Sequence, residues 1–151
     1  MGFFDFVKEA GAKLLGGKEA QAATKAETQQ ALYDQVMKTG LKVENFSVNF
    51  QDGVATLSGK ALSQEEREKI VLAVGNTKGV ARVDDQMAVA KPAPEATMYT
   101  VKSGDSLSKI AKAQYGDASK YNAIFEANKP MLTDPNKIYP GQVLRIPPAN
   151  V

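Results

Sequence analysis

Apolar residues recur along this chain in blocks whose spacing switches between helical and strand period. Phe3, Val7, Ala10 and Leu14 share one face at helical spacing, with Phe4, Phe6, Gly11 and Leu15 close by, before Gly16 and Gly17 stop the run. The spacing predicts a short N-terminal helix that docks its apolar stripe onto the body of the protein. A membrane-surface helix and a lid over a site are the sharper alternatives, although a surface helix carries a strongly basic polar face and this one is mixed in sign. Small polar residues from Lys18 to Ala26 read as a loop or helix extension. A helix from about Glu27 to Lys38 buries Leu32 and Val36, with Tyr33 and Met37 as further candidates, and Thr39-Gly40 ends it. Phe46, Val48 and Phe50 then alternate with Ser47 and Asn49 as a half-buried strand. Asp52-Gly53 is a hairpin turn signal, and Val54 to Ser58 returns as the paired strand. Ser63-Gln64-Glu65-Glu66 fits a capping box in which Glu66 reaches back to the Ser63 amide. Ile70, Val71 and Val74 form the buried stripe of the helix it opens, and Gly75 is placed to end it in the left-handed conformation. After a loop at 76–79, Ala81, Val83, Met87 and Val89 share one parity of a last strand. Asp85 falls on that parity and predicts a bulge or a strand break.

Two prolines in KPAPEATM, residues 91–98, mark a short stiff linker. Beyond it the pattern restarts. Tyr99 and Val101 make a strand, Ser103-Gly104-Asp105 a turn, and Leu107, Ile110 and Ala111 a helical stripe ended by Tyr115-Gly116. Ser119 is expected to cap a second helix that buries Tyr121, Ile124 and Phe125, with Asn128-Lys129-Pro130 as its stop. Tyr139-Pro140-Gly141-Gln142 turns into a final strand, Val143 to Ile146. The reading is α+β: an N-terminal helix and loop (1–24), an αββαβ domain (25–90), a linker (91–98) and a βααβ domain (99–151).

Composition narrows the chemistry. The chain has 151 residues, 43% hydrophobic and 24% charged, with formal net charge +2. Residues 99–151 carry seven Lys/Arg against four Asp/Glu, and residues 1–98 twelve against thirteen, so neither half has the positive field that nucleic acid demands. Without cysteine there is no disulfide, thiolate nucleophile or thiolate metal site, and without histidine the commonest general base and transition-metal ligand are gone. Glu65, Glu66 and Glu68 could be imagined as an acid–base set, but they read as a solvated helix start whose acids complement the dipole. Asp84 and Asp85, adjacent in an extended segment, point to opposite sides and chelate poorly. No enzyme is predicted. No apolar run nears the roughly 20 residues of a membrane span. The start MGFFDFVKEAGAKLLGG has neither a basic lead nor an uninterrupted apolar core, and Phe6 stands where N-myristoylation wants Ser or Thr. A cytoplasmic monomer is expected.

Three resemblances sharpen the picture. FSVNFQDGVATLSG, SQEEREKIVLAVGN and GVARVDDQMAV resemble a BON domain, a small αββαβ unit without catalytic residues. YTVKSGDSLSKIAKAQYG, YNAIFEANKP and IYPGQVLRIP resemble a LysM module, which implies a shallow groove for N-acetylglucosamine glycans such as peptidoglycan. That groove would be formed by Gly104, Asp105, Ser106 and Leu107 on one side and Ala127, Asn128, Lys129 and Pro130 on the other. Taken end to end, GFFDFVKEAGAKL, the BON domain, the proline linker and the LysM domain resemble the cytoplasmic potassium-binding proteins of Gram-negative bacteria. The resemblance implies selective binding of one K⁺ and compaction of the two domains around it. Carbonyl oxygens replace the water shell of this large monovalent ion with little strain, and helix C-termini supply carbonyls without partners. The expected ligands are the carbonyls of Val7, Ala10, Gly75, Thr77 and Val80, with Asn76 as an extra ligand and the N-terminal helix as a lid.

Overall fold

The computed structural model describes residues 2–6, 25–77, 79–129 and 131–147. It is an α+β protein of two small units. In the first, helix α1 (Lys25–Lys38) is followed by strands β2 (Val43–Gln51) and β3 (Val54–Ser63), helix α2 (Gln64–Gly75) and strands β4 (Arg82–Asp85) and β5 (Ala88–Lys91). An earlier strand, β1 (Gly2–Asp5), completes the sheet in the order β1-β4-β3-β2, with β5 also paired to β3. The β2–β3 hairpin turns at Asp52 (φ 52°) and Gly53 (φ 80°), two consecutive left-handed residues as the Asp-Gly pair predicts. Strands β4 and β5 run parallel to β3 on the same side, at Val54–Leu57 and Lys60–Ser63. They are one strand interrupted after Asp85, where the buried carboxylate takes the Arg67 guanidinium at 2.7 Å and the Met87 amide at 3.0 Å.

Alternation and stripe together build one core under this sheet: Leu32 and Val36 from α1, Phe46 and Phe50 from β2, Ala55 and Leu57 from β3, Ile70, Val71 and Val74 from α2. Tyr33 and Met37 are exposed, the Tyr33 ring stacking on the rim of this core against Phe46, with centroids 5.8 Å apart. The capping box is half formed. Ser63 Oγ accepts the Glu66 amide at 3.2 Å, while the Glu66 carboxylate accepts the Lys42 amide and, at 3.5 Å, the Ser63 hydroxyl in place of the Ser63 amide.

The N-terminus corrects the predicted helix where it is described. Gly2–Asp5 is a strand antiparallel to β4, with Phe3 opposite Asp84 and Phe4 opposite Val83. The cause is period two hidden inside the aromatic run: Phe4 and Phe6 turn to the core while Phe3 and Asp5 face out. Strand β4 would otherwise expose unpaired backbone groups along its edge, and aromatic residues suit a strand that covers them. The rest of the expected helix, including Val7, Ala10 and Leu14, lies outside the described residues.

The second unit has strand β6 (Thr97–Thr100), helix α3 (Leu107–Tyr115), a 3-10 turn (Ala118–Lys120), helix α4 (Tyr121–Ala127) and strand β7 (Val143–Ile146), with β6 and β7 antiparallel. Ser106 caps α3 and Gly116 ends it at φ 76°. Its core is Val101, Leu107, Ile110, Ala111, Ile124, Leu132, Leu144 and Ile146. Two expectations fail locally. Asp117 caps the 3-10 turn, accepting the Ser119 amide and hydroxyl at 3.0 and 2.6 Å, and α4 itself starts after Lys120 with no side-chain cap. Tyr121 is exposed, because the 3-10 turn rotates it off the buried face held by Ile124 and Ala127.

Candidate functional site

The end of α2 is where the two units and the N-terminal strand meet. Gly75 is the last helical residue and does not adopt the left-handed conformation expected of it; Gly79 does, at φ 101°. Glycine at 75 has a different cause. The Phe6 ring lies on it, and a Cβ built there would fall 2.1 Å from Phe6 Cζ. Phe6 is fixed in turn by its amide, which donates to the Ala81 carbonyl at 2.9 Å. The segment entering residue 7 is thus pinned against the 75–81 loop, next to three of the expected carbonyl donors and Asn76. The other two residues of that set, Val7 and Ala10, lie outside the described residues.

Within the loop, Asn76, Thr77 and Val80 are all buried. The Thr77 carbonyl accepts the Val80 amide at 3.0 Å. Thr77 Oγ1 bonds back to the Ala73 carbonyl at 3.2 Å and accepts Gln35 Nε2 at 2.9 Å, which braces the loop from α1. Among the described residues, no backbone N–H donates to the carbonyls of Gly75 or Val80. None of residues 75–80 is acidic, and the one charged residue among them, Lys78, lies outside the described residues. Among the described residues no three or more Asp, Glu, His or Cys side chains gather to hold a metal. A cation at this loop therefore meets peptide oxygens at the negative end of a helix, a donor set that suits a weakly hydrated monovalent ion better than a divalent one.

Asn76 is engaged elsewhere. Its side-chain oxygen accepts the Val143 amide at 2.8 Å and its Nδ2 donates to the Val143 carbonyl at 2.8 Å, across the boundary between the units. Asn128 makes the same pair of bonds to Arg145, at 2.8 and 2.9 Å, and also donates to the Ile124 carbonyl. Two asparagine amides thus satisfy the edge of β7 that faces away from β6. Farther along α2, buried Glu68 accepts the Arg145 guanidinium at 2.8 Å, Gln64 Nε2 at 2.9 Å and the Ala96 amide at 2.9 Å. Glu68 is 3% exposed, so the solvated acidic face expected of α2 is reduced to half-buried Glu66 and to exposed Glu65, which pairs with Lys69 at 2.8 Å. The side-chain contact with Lys69 holds the Glu65 carboxyl below its usual range.

The glycan residues divide differently from the expectation. Gly104 (φ 88°) and Asp105 shape the turn, and Asp105 accepts the Tyr99 hydroxyl at 2.6 Å and the Lys102 amide at 2.9 Å. The Tyr99 contact, more than the Lys102 amide, lowers the Asp105 carboxyl. Ser106 and Leu107 line a groove of about 400 Å³ whose other wall is Tyr121, Pro135 and Asn136. Asn128 is buried on β7, and Lys129 pairs with Glu126 at 2.8 Å and lies over the Phe125 ring, so neither lines that groove; Pro130 lies outside the described residues. Tyr121, expected in the core, is instead the exposed aromatic of that groove.

The family model of the BON domain matches residues 24–91, and that of the LysM domain residues 99–147. The potassium binding protein Kbp of Escherichia coli O6:H1 is 52% identical over 148 residues, 97% of this chain and 99% of that protein. An uncharacterized protein of Deinococcus radiodurans is 55% identical over 51 residues, 34% of this chain and 19% of its own length. An esterase of Mycobacterium tuberculosis is 49% identical over 53 residues, 35% of this chain and 11% of its own length. The last two similarities span about a third of this chain and small parts of longer proteins.

Proposed function

We propose, from the premise that this chain belongs to the BON–LysM family of the potassium binding protein Kbp, that it binds K⁺ selectively and reversibly and couples binding to the packing of its two domains. Similarity running over nearly the whole of both chains carries the choice of ion. The address is the loop after α2, with the carbonyls of Gly75, Thr77 and Val80 as donors and those of Val7 and Ala10 brought in from the N-terminal side. The Phe6 ring on Gly75 supports that address, because it holds the N-terminal segment against the loop. The side chain of Asn76 serves as a tie and not as a ligand.

The coupling follows from the same residue. Asn76 belongs to the loop and holds Val143 of β7, so the conformation that favours the ion also orients the tie to the LysM domain. Binding and docking then reinforce each other, and the reinforcement is reciprocal. The protein acts by binding alone, as a monomer in the cytoplasm. Among the described residues no helix is long and apolar enough to cross a membrane.

Thermal unfolding in KCl and in NaCl at equal ionic strength tests this reading. A ligand that binds only the folded state raises the midpoint, so KCl gives the higher one; equal midpoints remove the proposal. Deleting residues 2–12 and titrating K⁺ calorimetrically tests the address, because unchanged affinity takes the N-terminal carbonyls out of it. A second reading, peptidoglycan binding, is favoured by the open groove beside Ser106 and Leu107. Co-sedimentation with insoluble cell wall distinguishes it.

A further inference from the structure

A second cleft, of about 460 Å³, opens between the two domains on the far side of Asn76. Gln35, Lys38 and Thr39 from the end of α1 and Ala73 from α2 form one wall; Met131, Thr133, Lys137, Tyr139 and Gln142 of the LysM domain form the other. Its size falls within the range of small-molecule sites, about 300–1,000 Å³.

Three features of the lining call for a ligand. Gln142 is 3% exposed, and its Oε1 is the one buried side-chain polar atom without a hydrogen-bond partner among the described residues. Buried polar atoms are nearly always satisfied, and one that is not marks a cost that function can explain. Gln142 also bonds through its backbone, donating to the Tyr139 carbonyl at 3.1 Å and accepting the Val101 amide at 2.8 Å, so the fold holds it without its amide. Next, Lys38 and Lys137 stand at the cleft with no ion pair among the described residues, while Lys69 and Lys129 are paired. Finally, Met131, Leu132, Ala73 and the Tyr139 ring give the cleft an apolar floor.

We infer that this cleft binds a small organic anion with a flat ring: the anionic group between Lys38 and Lys137, the ring on Met131 and Tyr139, and a ring N–H or O–H donor on Gln142 Oε1. A nucleoside monophosphate and an aromatic carboxylic acid share that chemistry. The inference does not depend on the potassium reading.

The test is calorimetry on the full chain with AMP, CMP and indole-3-acetate as probes and adenosine as the uncharged control. At least one anion binds saturably, and at least about tenfold more tightly than adenosine. Saturation by a nucleotide names phosphate as the source, and saturation by indole-3-acetate alone names carboxylate. Gln142→Leu weakens binding about tenfold and raises the unfolding midpoint, since it removes an unsatisfied atom. Lys137→Met, at an exposed position, weakens the anions equally and leaves the midpoint in place, and it decides the matter should Gln142→Leu not fold. No saturation by any anion, adenosine binding as well as AMP, or wild-type affinity in both variants overturns the inference.

Discussion

The BON and LysM domains are joined at two places along α2, and the two differ in kind. Near the start of the helix the joint is a charged pair, Glu68 with Arg145, buried and hydrogen-bonded on nearly every side. At the end of the helix it is neutral, the Asn76 amide on the backbone of Val143. A buried ion pair has one good geometry, and losing either partner strands a charge. An amide bracket tolerates small rotations and sits in the very loop proposed for the ion. On the proposed reading the first joint is a fixed pivot, and the second is the place where a change in the loop is felt.

Glu68→Ala breaks the pivot and has the largest expected effect. It leaves Arg145 buried without its partner and costs about 3–5 kcal/mol, read by urea unfolding. Asn76→Ala comes next. It orphans the Val143 N–H and C=O and costs about 1–3 kcal/mol, and it separates the two joints: K⁺ still binds, while the K⁺-induced compaction seen by small-angle scattering shrinks. Equal compaction in that variant would erase the distinction between the joints. Gly75→Ala changes stability by less than about 1 kcal/mol, because alanine is the better helix former and offsets part of the clash. It nonetheless pushes the Phe6 ring away and lowers K⁺ affinity, and Phe6→Ala in the same chain restores space for the new methyl.

The smallest effect is a matter of pH and lies away from both joints. The Tyr99 hydroxyl holds the Asp105 carboxyl below its usual range, so the ionised form is favoured in the folded state. That contribution is present above the ordinary carboxylate pKa, near 4, and is lost as pH falls through the lowered folded value. Tyr99→Phe removes its largest cause. Melting midpoints between roughly pH 2 and 6 then fall less steeply toward acid than those of the parent.

What was legible in the sequence was what neighbours in sequence decide. Asp52-Gly53 needs only its own dihedral angles, Ser63 only an amide three residues on, and Asp85 only the parity of its strand. The elements of both domains followed from such signals. The first residues were misread because Phe3, Phe4 and Phe6 satisfy helical and strand spacing equally, and the free edge of β4, a tertiary fact, decides between them. The partners of Glu68, Asn76 and Asn128 were out of reach for a related reason. Each is an ordinary helix-start or helix-end residue until β7 is laid against it. Gly75 was marked out correctly as a necessary glycine, but for a conformational reason, when the real one is a ring from elsewhere in the chain.

Strand β5 ends at Lys91 and β6 begins at Thr97, with Pro92 and Pro94 between them and Ala96 already held by Glu68. Even with Ala96 released, six peptide steps reach roughly 20 Å at full stretch. The LysM domain is on a short leash. It can swing away from its neighbour but never leave, so a detached state recaptures its partner at an effective concentration independent of protein dilution. A pair of fluorophores on the two domains would report a modest, fast and fully reversible change in distance.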